Sequence, residues 1–172
     1  MKPKFAQRVL IAVDTNVLLD LAQEVDDIVD AFQLIQDRIP TARFVMPPTV
    51  AHELAYEARH AETAKLRARG RRAFQEARRY DIRPVDLVAV RHGIAEQVSL
   101  RLRDTGLLPG EEVNDGFILG EAALLGCAIL LTTDAHLRGL PHERLTLELQ
   151  ALDLPAPVIA TPRELIRKFF PV

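Results

Sequence analysis

The chain has 172 residues, a formal net charge of −2, 48% apolar residues and 27% charged residues. This length suits one folded domain, 1–172, and no segment approaches the roughly 18 uninterrupted apolar residues of a membrane helix, so we expect no membrane partner. The near-zero net charge excludes a basic nucleic-acid binder of the histone-like kind, but it does not exclude a local basic surface.

Two features indicate a reducing compartment, and we predict a cytoplasmic protein. The first residues, MKPKFAQRV, are basic but have no apolar stretch typical of a secretory signal. The single cysteine, Cys127, cannot form an internal disulfide, and its apolar surroundings in LLGCAILL favour a buried small side chain over a reactive thiol.

The first half of the chain begins with VLIAV at 9–13, which is apolar on both faces and therefore typical of a buried parallel strand. The elements that follow are predicted as a helix at about 15–23, a helix over 25–39, a strand in ARFVMPP and a helical stretch over 49–80 that breaks near Gly70.

The second half continues the alternation. It is predicted to contain a poor strand in IRPVDL that Pro84 restricts to an edge, a helix over 88–103 with an apolar stripe of Val90, Ile94, Val98 and Leu102, a buried helix in EEVNDGFILGEAALLG, strands in CAILLTT and PVIAT, and a last helix. Thr161, Pro162 and Glu164 supply an N-cap, a first-turn proline and a capping-box acid for that last helix. The alternation predicts an α/β domain with a parallel sheet and right-handed crossovers.

Asp14 and Asp134 each follow an apolar strand, predicted at 9–13 and 128–133. Ligands of an open parallel sheet bind outside the carboxyl ends of its strands, so both carboxylates are candidate site residues. Each acid is also a good helix N-cap. Neither interpretation is excluded for one acid alone.

Two further acids lie in unusual positions. Asp115 shares a helix face with Ile118, Leu119 and Ala122, among core-facing positions, although an N-cap in VND is the alternative. Glu53 lies beside the apolar stripe of its helix, where a solvated side chain is the alternative.

The four acids together point to metal chemistry if the fold brings them to one cleft. Carboxylates about 4 Å apart repel by roughly 4 kcal/mol per pair at an effective dielectric constant of 20, so protons or cations must neutralise them. Ligation by oxygen alone suits Mg²⁺ or Mn²⁺. Such a site permits metal-assisted hydrolysis of a phosphodiester.

A basic stretch lies between residues 59 and 83, with nine Lys or Arg against three acids. It predicts a basic helical extension at about 61–82 that is able to hold the backbone of a polyanion, although a solvated surface explains the charges as well. The candidate contacts to that polyanion, which the resemblance described below implies to be RNA, are Arg67, Arg71, Arg72 and Arg78.

The order of these motifs resembles the PIN-domain nucleases. The resemblance rests on Asp14-Thr15-Asn16 after the first strand, Glu53 in a helix after the second, and the block NDGFILGEAALLGCAILLTTD that ends at Asp134. It implies a three-layer α/β/α sandwich on a parallel sheet of about five strands, and divalent-metal-dependent cleavage of single-stranded RNA.

By position, the resemblance makes Asp14, Glu53, Asp115 and Asp134 the catalytic acids, of which Asp14, Asp115 and Asp134 would bind metal. Asn16 and Thr132 match supporting polar positions. Many small members of the family are toxins of type II toxin–antitoxin pairs, which implies a homodimer and a small antitoxin partner. The long basic segment departs from the minimal toxin pattern. His136 replaces an acid of some members and is not counted as a ligand. Glu112 and Glu121 are further candidates for the site, although solvent exposure and helix-start electrostatics explain them as well.

Three rival interpretations remain. Glu57 and His60 form the E-x-x-H spacing of di-iron bundles, but no second such pair is present. A phosphatase of the haloacid dehalogenase type expects an acid at Asn16. A PIN-like scaffold that binds RNA or a protein without cutting is the alternative outside enzymes.

Overall fold

The computed structural model describes residues 8–169, so the amino-terminal segment in which we predict no secretory signal lies outside the described residues. Within that range the strands are β1 (Val9–Val13), β2 (Ala42–Met46), β3 (Arg83–Pro84), β4 (Ile129–Leu131) and β5 (Val158–Ala160). The helices are α1 (Thr15–Leu21), α2 (Asp26–Arg38), α3 (Pro48–His60), α4 (Ala64–Arg79), α5 (Ala89–Asp104), α6 (Val113–Leu124), α7 (Ala135–Arg138), α8 (His142–Gln150) and α9 (Pro162–Phe169).

The strands form one parallel sheet in the order β3-β2-β1-β4-β5. β1 is central, and its Ile11 lies opposite Phe44 of β2 on one side and Ile129 of β4 on the other. The chain therefore reverses its direction of travel across the sheet between β1 and β4, and a crevice is expected at the carboxyl ends of these two strands. The predicted α/β class with a five-stranded parallel sheet is confirmed.

Helices flank the sheet and complete the α/β/α arrangement. α2 packs against α9, and α5 packs against α6. α3 contacts α1, α4 and α6, so it packs against helices from both halves of the chain. No helix within residues 8–169 combines the length and apolar character needed to cross a bilayer.

The predicted break near Gly70 is wrong. The helical stretch breaks earlier, between His60 and Ala64, where the Thr63 hydroxyl caps α4 by accepting from Leu66 N at 3.2 Å. Gly70 lies inside α4, and a Cβ there would approach Ala58 N to 2.7 Å. The glycine therefore permits close packing of α3 on α4 rather than a break.

The apolar stripe predicted for α5 is only partly right. Val98 and Leu102 are buried, but Val90 is 70% exposed. The helix instead buries Ser99 against α6, where a Cβ on Gly116 would lie 2.5 Å from the Ser99 hydroxyl oxygen. The small side chains of Ser99 and Gly116 allow α5 and α6 to approach closely, and a search for apolar periodicity does not detect such residues.

Three local predictions are confirmed. β3 is a two-residue edge strand that ends at Pro84. At α9, Thr161 N donates to the Glu164 carboxylate at 2.8 Å and Glu164 N donates to the Thr161 hydroxyl at 3.1 Å, which is a capping box. Cys127 is 3% exposed, and burial raises the pKa of its thiol to about 12, so it is an inert core residue.

Candidate active site

Asp14 is a helix cap and also a buried acid. Its Oδ1 accepts from Thr15 N at 2.6 Å at the start of α1, and its Oδ2 accepts from the Thr132 hydroxyl at 2.6 Å. The residue is only 3% exposed. Burial raises the pKa of Asp14 to about 6, and the charges of Glu53 and Asp134 add to the rise while the hydrogen bonds oppose it. A capping role alone does not explain why the fold buries a carboxylate whose charged form burial disfavours.

Thr132 connects the two strand-end acids. Its side chain is fully buried, and its hydroxyl donates to Asp14 and accepts from Asp134 N at 2.9 Å. Asp134 in turn caps α7, where its Oδ1 accepts from His136 N at 2.7 Å and from Leu137 N at 3.1 Å. Asn16 is exposed and lines the cleft, and its amide makes no hydrogen bond within residues 8–169.

Glu53 is held in place rather than solvated. The Thr15 hydroxyl donates to its Oε2, and the Asn114 amide donates to its Oε1 at 2.7 Å. These donors come from α1 and α6, so three elements meet at one carboxylate. The solvated-side-chain interpretation of Glu53 is therefore wrong.

Asp115 has a buried carboxylate oxygen without a hydrogen-bond donor in residues 8–169. It is the third residue of α6, whose N-cap position is Glu112, so the N-cap interpretation of Asp115 is wrong. Its Oδ2 is buried and has no hydrogen-bond partner among the described residues. Burial raises the pKa of Asp115 to about 7, and the nearby acids, Asp134 first, add to the rise.

The fold brings three of the four predicted acids to one cleft and places the fourth, Asp134, near them. Asp14, Glu53 and Asp115 line an open cleft of about 740 Å³, and Asp134 is close enough to raise the pKa of both aspartates. The tightest set of three metal-ligating side chains found within residues 8–169 is Glu112, Asp115 and His136, whose ligand atoms lie within 4.8 Å of one another.

This arrangement fits a hard divalent cation. The acids supply oxygen ligands, and the buried Asp115 Oδ2 lacks any compensating donor. His136 Nδ1 lies 3.1 Å from Glu112 Oε1, so one imidazole nitrogen lies next to the carboxylate oxygens of Glu112 and Asp115. A bound cation would offset the repulsion among these acids, which adds to the rise that burial causes in the pKa of Asp14 and Asp115.

The sequence did not identify several residues of the cleft. Thr15 and Asn114 hold Glu53. Thr15 directly follows Asp14 and Asn114 directly precedes Asp115, and this adjacency to a predicted acid is the sequence feature that could have identified them. His52, Tyr56 and Arg69 also line the cleft. No local pattern distinguishes them from other exposed helical side chains.

Glu121 has a structural role outside the cluster. It is 2% exposed, and its carboxylate accepts from Thr49 N at 3.0 Å and from the Thr49 hydroxyl at 2.8 Å. These contacts attach the first turn of α3 to α6. Glu121 thereby helps to position the helix that carries Glu53.

Three of the four candidate RNA-binding arginines have partners within the chain. Arg67 donates to Ala61 O at 2.6 Å, and Arg71 donates to Ala58 O at 3.3 Å. Arg72 pairs with Glu24 at 3.0 Å. Only Arg78 of the four has an exposed side chain without a partner in residues 8–169.

The di-iron interpretation has no support in the described residues. Glu57 pairs with Arg69 at 2.7 Å, and the His60 ring packs against Tyr56 with centroids 5.2 Å apart. Neither belongs to a metal-ligating set within residues 8–169.

Comparison with known proteins identifies a protein family and similar solved structures. Residues 11–143 match the family described as the PIN domain, and no curated protein matches. A chain of VapBC2 from Rickettsia felis, crystallised with a DNA fragment from its promoter, is 15% identical with a TM-score of 0.63, over 89% of this chain and 98% of that chain.

Two other solved structures are similar. A chain of VapBC-1 from nontypeable Haemophilus influenzae is 15% identical with a TM-score of 0.58, over 90% of this chain and 98% of that chain. A chain of FitAcB from Neisseria gonorrhoeae is 15% identical with a TM-score of 0.51, over 88% and 97%. At these identities the likeness shows a shared fold.

Proposed function

Because the chain belongs to the PIN-domain family, we propose that it is a divalent-metal-dependent endoribonuclease that hydrolyses phosphodiester bonds of single-stranded RNA. The observation that carries this proposal is the placement of Asp14, Glu53 and Asp115 in one cleft with Asp134 nearby, where burial first, and the neighbouring carboxylates in addition, raise the pKa of Asp14 and Asp115. Buried carboxylates that lie close together lower the stability of the fold, and such groups are typical of sites that bind a cation or catalyse a reaction.

In this proposal Asp14, Asp115 and Asp134 would hold Mg²⁺ or Mn²⁺. When bound, the ion would lower the pKa of a bound water and offset the charge of the scissile phosphate. The Thr132 hydroxyl keeps one oxygen of Asp14 in place. Thr15 and Asn114 fix Glu53, which leaves it positioned to accept a proton at the edge of the cluster.

The experiment is cleavage of a single-stranded RNA by the purified protein. We expect cleavage with Mg²⁺ or Mn²⁺, none with a chelator, and loss of activity in Asp14→Asn and Asp134→Asn while circular dichroism shows both variants folded. Equal cleavage by wild type and both variants would assign the activity to a contaminant. Binding of RNA without cutting by any form would favour the scaffold alternative.

A toxin role is the finer part of the proposal. Its support is the likeness to chains of VapBC and FitAcB structures. We propose a cytoplasmic homodimer that a small antitoxin protein silences. The test is expression of the chain alone and with the product of a short upstream gene. Growth arrest that the second gene relieves supports the toxin role, and normal growth with an active nuclease points to a housekeeping enzyme.

A further inference from the structure

Tyr56 is an aromatic side chain that the fold leaves in the open. Among the Phe and Tyr side chains that the structure describes, only this one is exposed, at 67%. The other tyrosine, Tyr80, packs against Phe32 with ring centroids 5.3 Å apart. A single exposed apolar residue is ordinary on a protein surface, so its position has to carry the argument.

That position is the wall of the carboxylate cleft. Tyr56 follows Glu53 by three residues on α3, which puts the two side chains about 5–6 Å apart at their Cβ atoms. Both residues line the cleft of about 740 Å³ that Asp14 and Asp115 also line. A group that lies on Tyr56 is therefore one helical turn from the candidate catalytic acid.

The ring belongs to a short row on the same helix face. His52 lies four residues before Tyr56, is exposed and lines the same cleft. His60 lies four residues after it, and its ring supports the tyrosine ring at 5.2 Å with an interplanar angle of 41°. The row presents flat, conjugated side chains beside the acids.

The charges along this wall are compatible with a polyanion. Glu57, the next acid of α3, is neutralised by Arg69 at 2.7 Å, and both residues line the cleft. The wall beyond Glu53 therefore adds no uncompensated negative charge. Among the residues that line this cleft, the carboxylates that would repel an RNA backbone belong to the cluster, where a bound cation would offset their charge.

We propose that Tyr56, with His52 beside it, is a stacking platform for an unpaired nucleobase that flanks the scissile phosphate. This inference rests on the proposed ribonuclease function and assigns the preference for unpaired bases to a particular side chain. Each base has a π-face that an aromatic ring can cover, whereas stacked neighbours cover both faces of a base inside a duplex. The platform thus selects single strands without reading their sequence.

The test uses a single-stranded RNA oligonucleotide that carries 2-aminopurine, whose fluorescence falls when the base stacks. Binding is measured with Ca²⁺ in place of Mg²⁺, for wild type, Tyr56→Ala, Tyr56→Phe and the control Leu147→Ala. Leu147 is 65% exposed on α8 and does not line the cleft. The matching RNA duplex is titrated in parallel.

We expect wild type, Tyr56→Phe and Leu147→Ala to quench the fluorescence equally. Tyr56→Ala should lose the quenching and bind about 5- to 100-fold more weakly, with no change for the duplex. Quenching by Tyr56→Ala at the wild-type level would overturn the proposal and leave the ring as a surface for another partner. A Tyr56→Phe variant that behaves like Tyr56→Ala would also overturn it, because the hydroxyl rather than the ring face would matter.

The outcome is separable from that of the proposed function. Wild-type quenching that depends on Tyr56, without cleavage in Mg²⁺ or Mn²⁺, would uphold the platform and refute the nuclease. Cleavage by the wild type, with no effect of Tyr56→Ala on binding, would uphold the nuclease and refute the platform. A wild-type protein that does not bind the oligonucleotide would refute both.

Discussion

The carboxylate cluster and the basic helix α4 are two concentrations of charge that the fold treats in opposite ways. In the cluster, like charges meet and the buried Asp115 Oδ2 finds no hydrogen-bond partner among the described residues. On α4, Arg67 and Arg71 donate to carbonyl oxygens of the preceding segment, and Arg72 pairs with Glu24. Uncompensated charge, rather than the number of charges, therefore marks the place that needs a ligand.

The largest effect is expected in the cluster. Asp115→Asn should lower the rate of RNA cleavage by more than about 100-fold, because changes to the outer partners of metal ligands already cost about 10- to 100-fold. Asp37→Asn is a matched control, since Asp37 is exposed on α2 and its side chain makes no hydrogen bond or ion pair with the described residues. Single-turnover rates measure the effect. A wild-type rate in Asp115→Asn would remove this acid from the site.

The second effect is on stability and depends on pH. The pKa of Asp14 is raised from 3.8 to about 6, and that of Asp115 from 3.8 to about 7. The folded state thus holds more protons than the unfolded state in this range, so these groups lower stability progressively as the pH rises from about 4 to above 7. At about 1.4 kcal/mol per pKa unit, ionisation of Asp14 alone lowers the free energy of unfolding by up to about 3 kcal/mol at pH values above about 6.

Urea unfolding of the metal-free protein near pH 5 and near pH 8 measures this dependence. Asp115→Asn should be more stable than wild type near pH 8, with the difference shrinking towards pH 5, whereas Asp37→Asn should follow wild type. The same stability difference between Asp115→Asn and wild type at both pH values would mean that Asp115 carries no raised pKa.

The third effect concerns the attachment of α3. Glu121→Gln replaces one of the two oxygens that accept from Thr49 with a donor, which should lower the free energy of unfolding by about 1–3 kcal/mol. Glu143→Gln, on the exposed side of α8, is the matched control. Since α3 carries Glu53, cleavage should fall as well. An unchanged urea midpoint would show that the Glu121 contacts do not stabilise the helix.

The smallest effect is expected on α4, where it sharpens the comparison. Arg78→Ala should reduce the salt dependence of RNA binding by about one unit of slope, because Arg78 is the candidate without an internal partner. Arg67→Ala should instead lower stability by about 1 kcal/mol through the lost contact to Ala61. Arg91→Ala, exposed on α5, is the control. An unchanged slope in Arg78→Ala would exclude this position from the RNA interface.

The sequence singled out Asp14 and Asp134 because each follows an apolar strand, and parallel strands place their carboxyl ends at one edge of the sheet. Glu53 and Asp115 joined them through the resemblance of the motif order to PIN-domain nucleases. The restraints on Glu53 were not predictable, since Thr15 and Asn114 lie 38 and 61 residues away along the chain. The close contacts of Gly70 and Gly116 were missed for a related reason: small residues pack helices together without an apolar pattern.

The most direct test of the carboxylate cluster as a metal site is a calorimetric titration with Mn²⁺ near pH 6.5 in two buffers of different ionisation enthalpy. Because the pKa values of Asp14 and Asp115 are raised to about 6 and about 7, Mn²⁺ should displace protons as it binds. We predict binding with proton release for wild type and a loss of both in Asp115→Asn. No binding to wild type, or equal binding to Asp115→Asn, would contradict a metal site at this cluster.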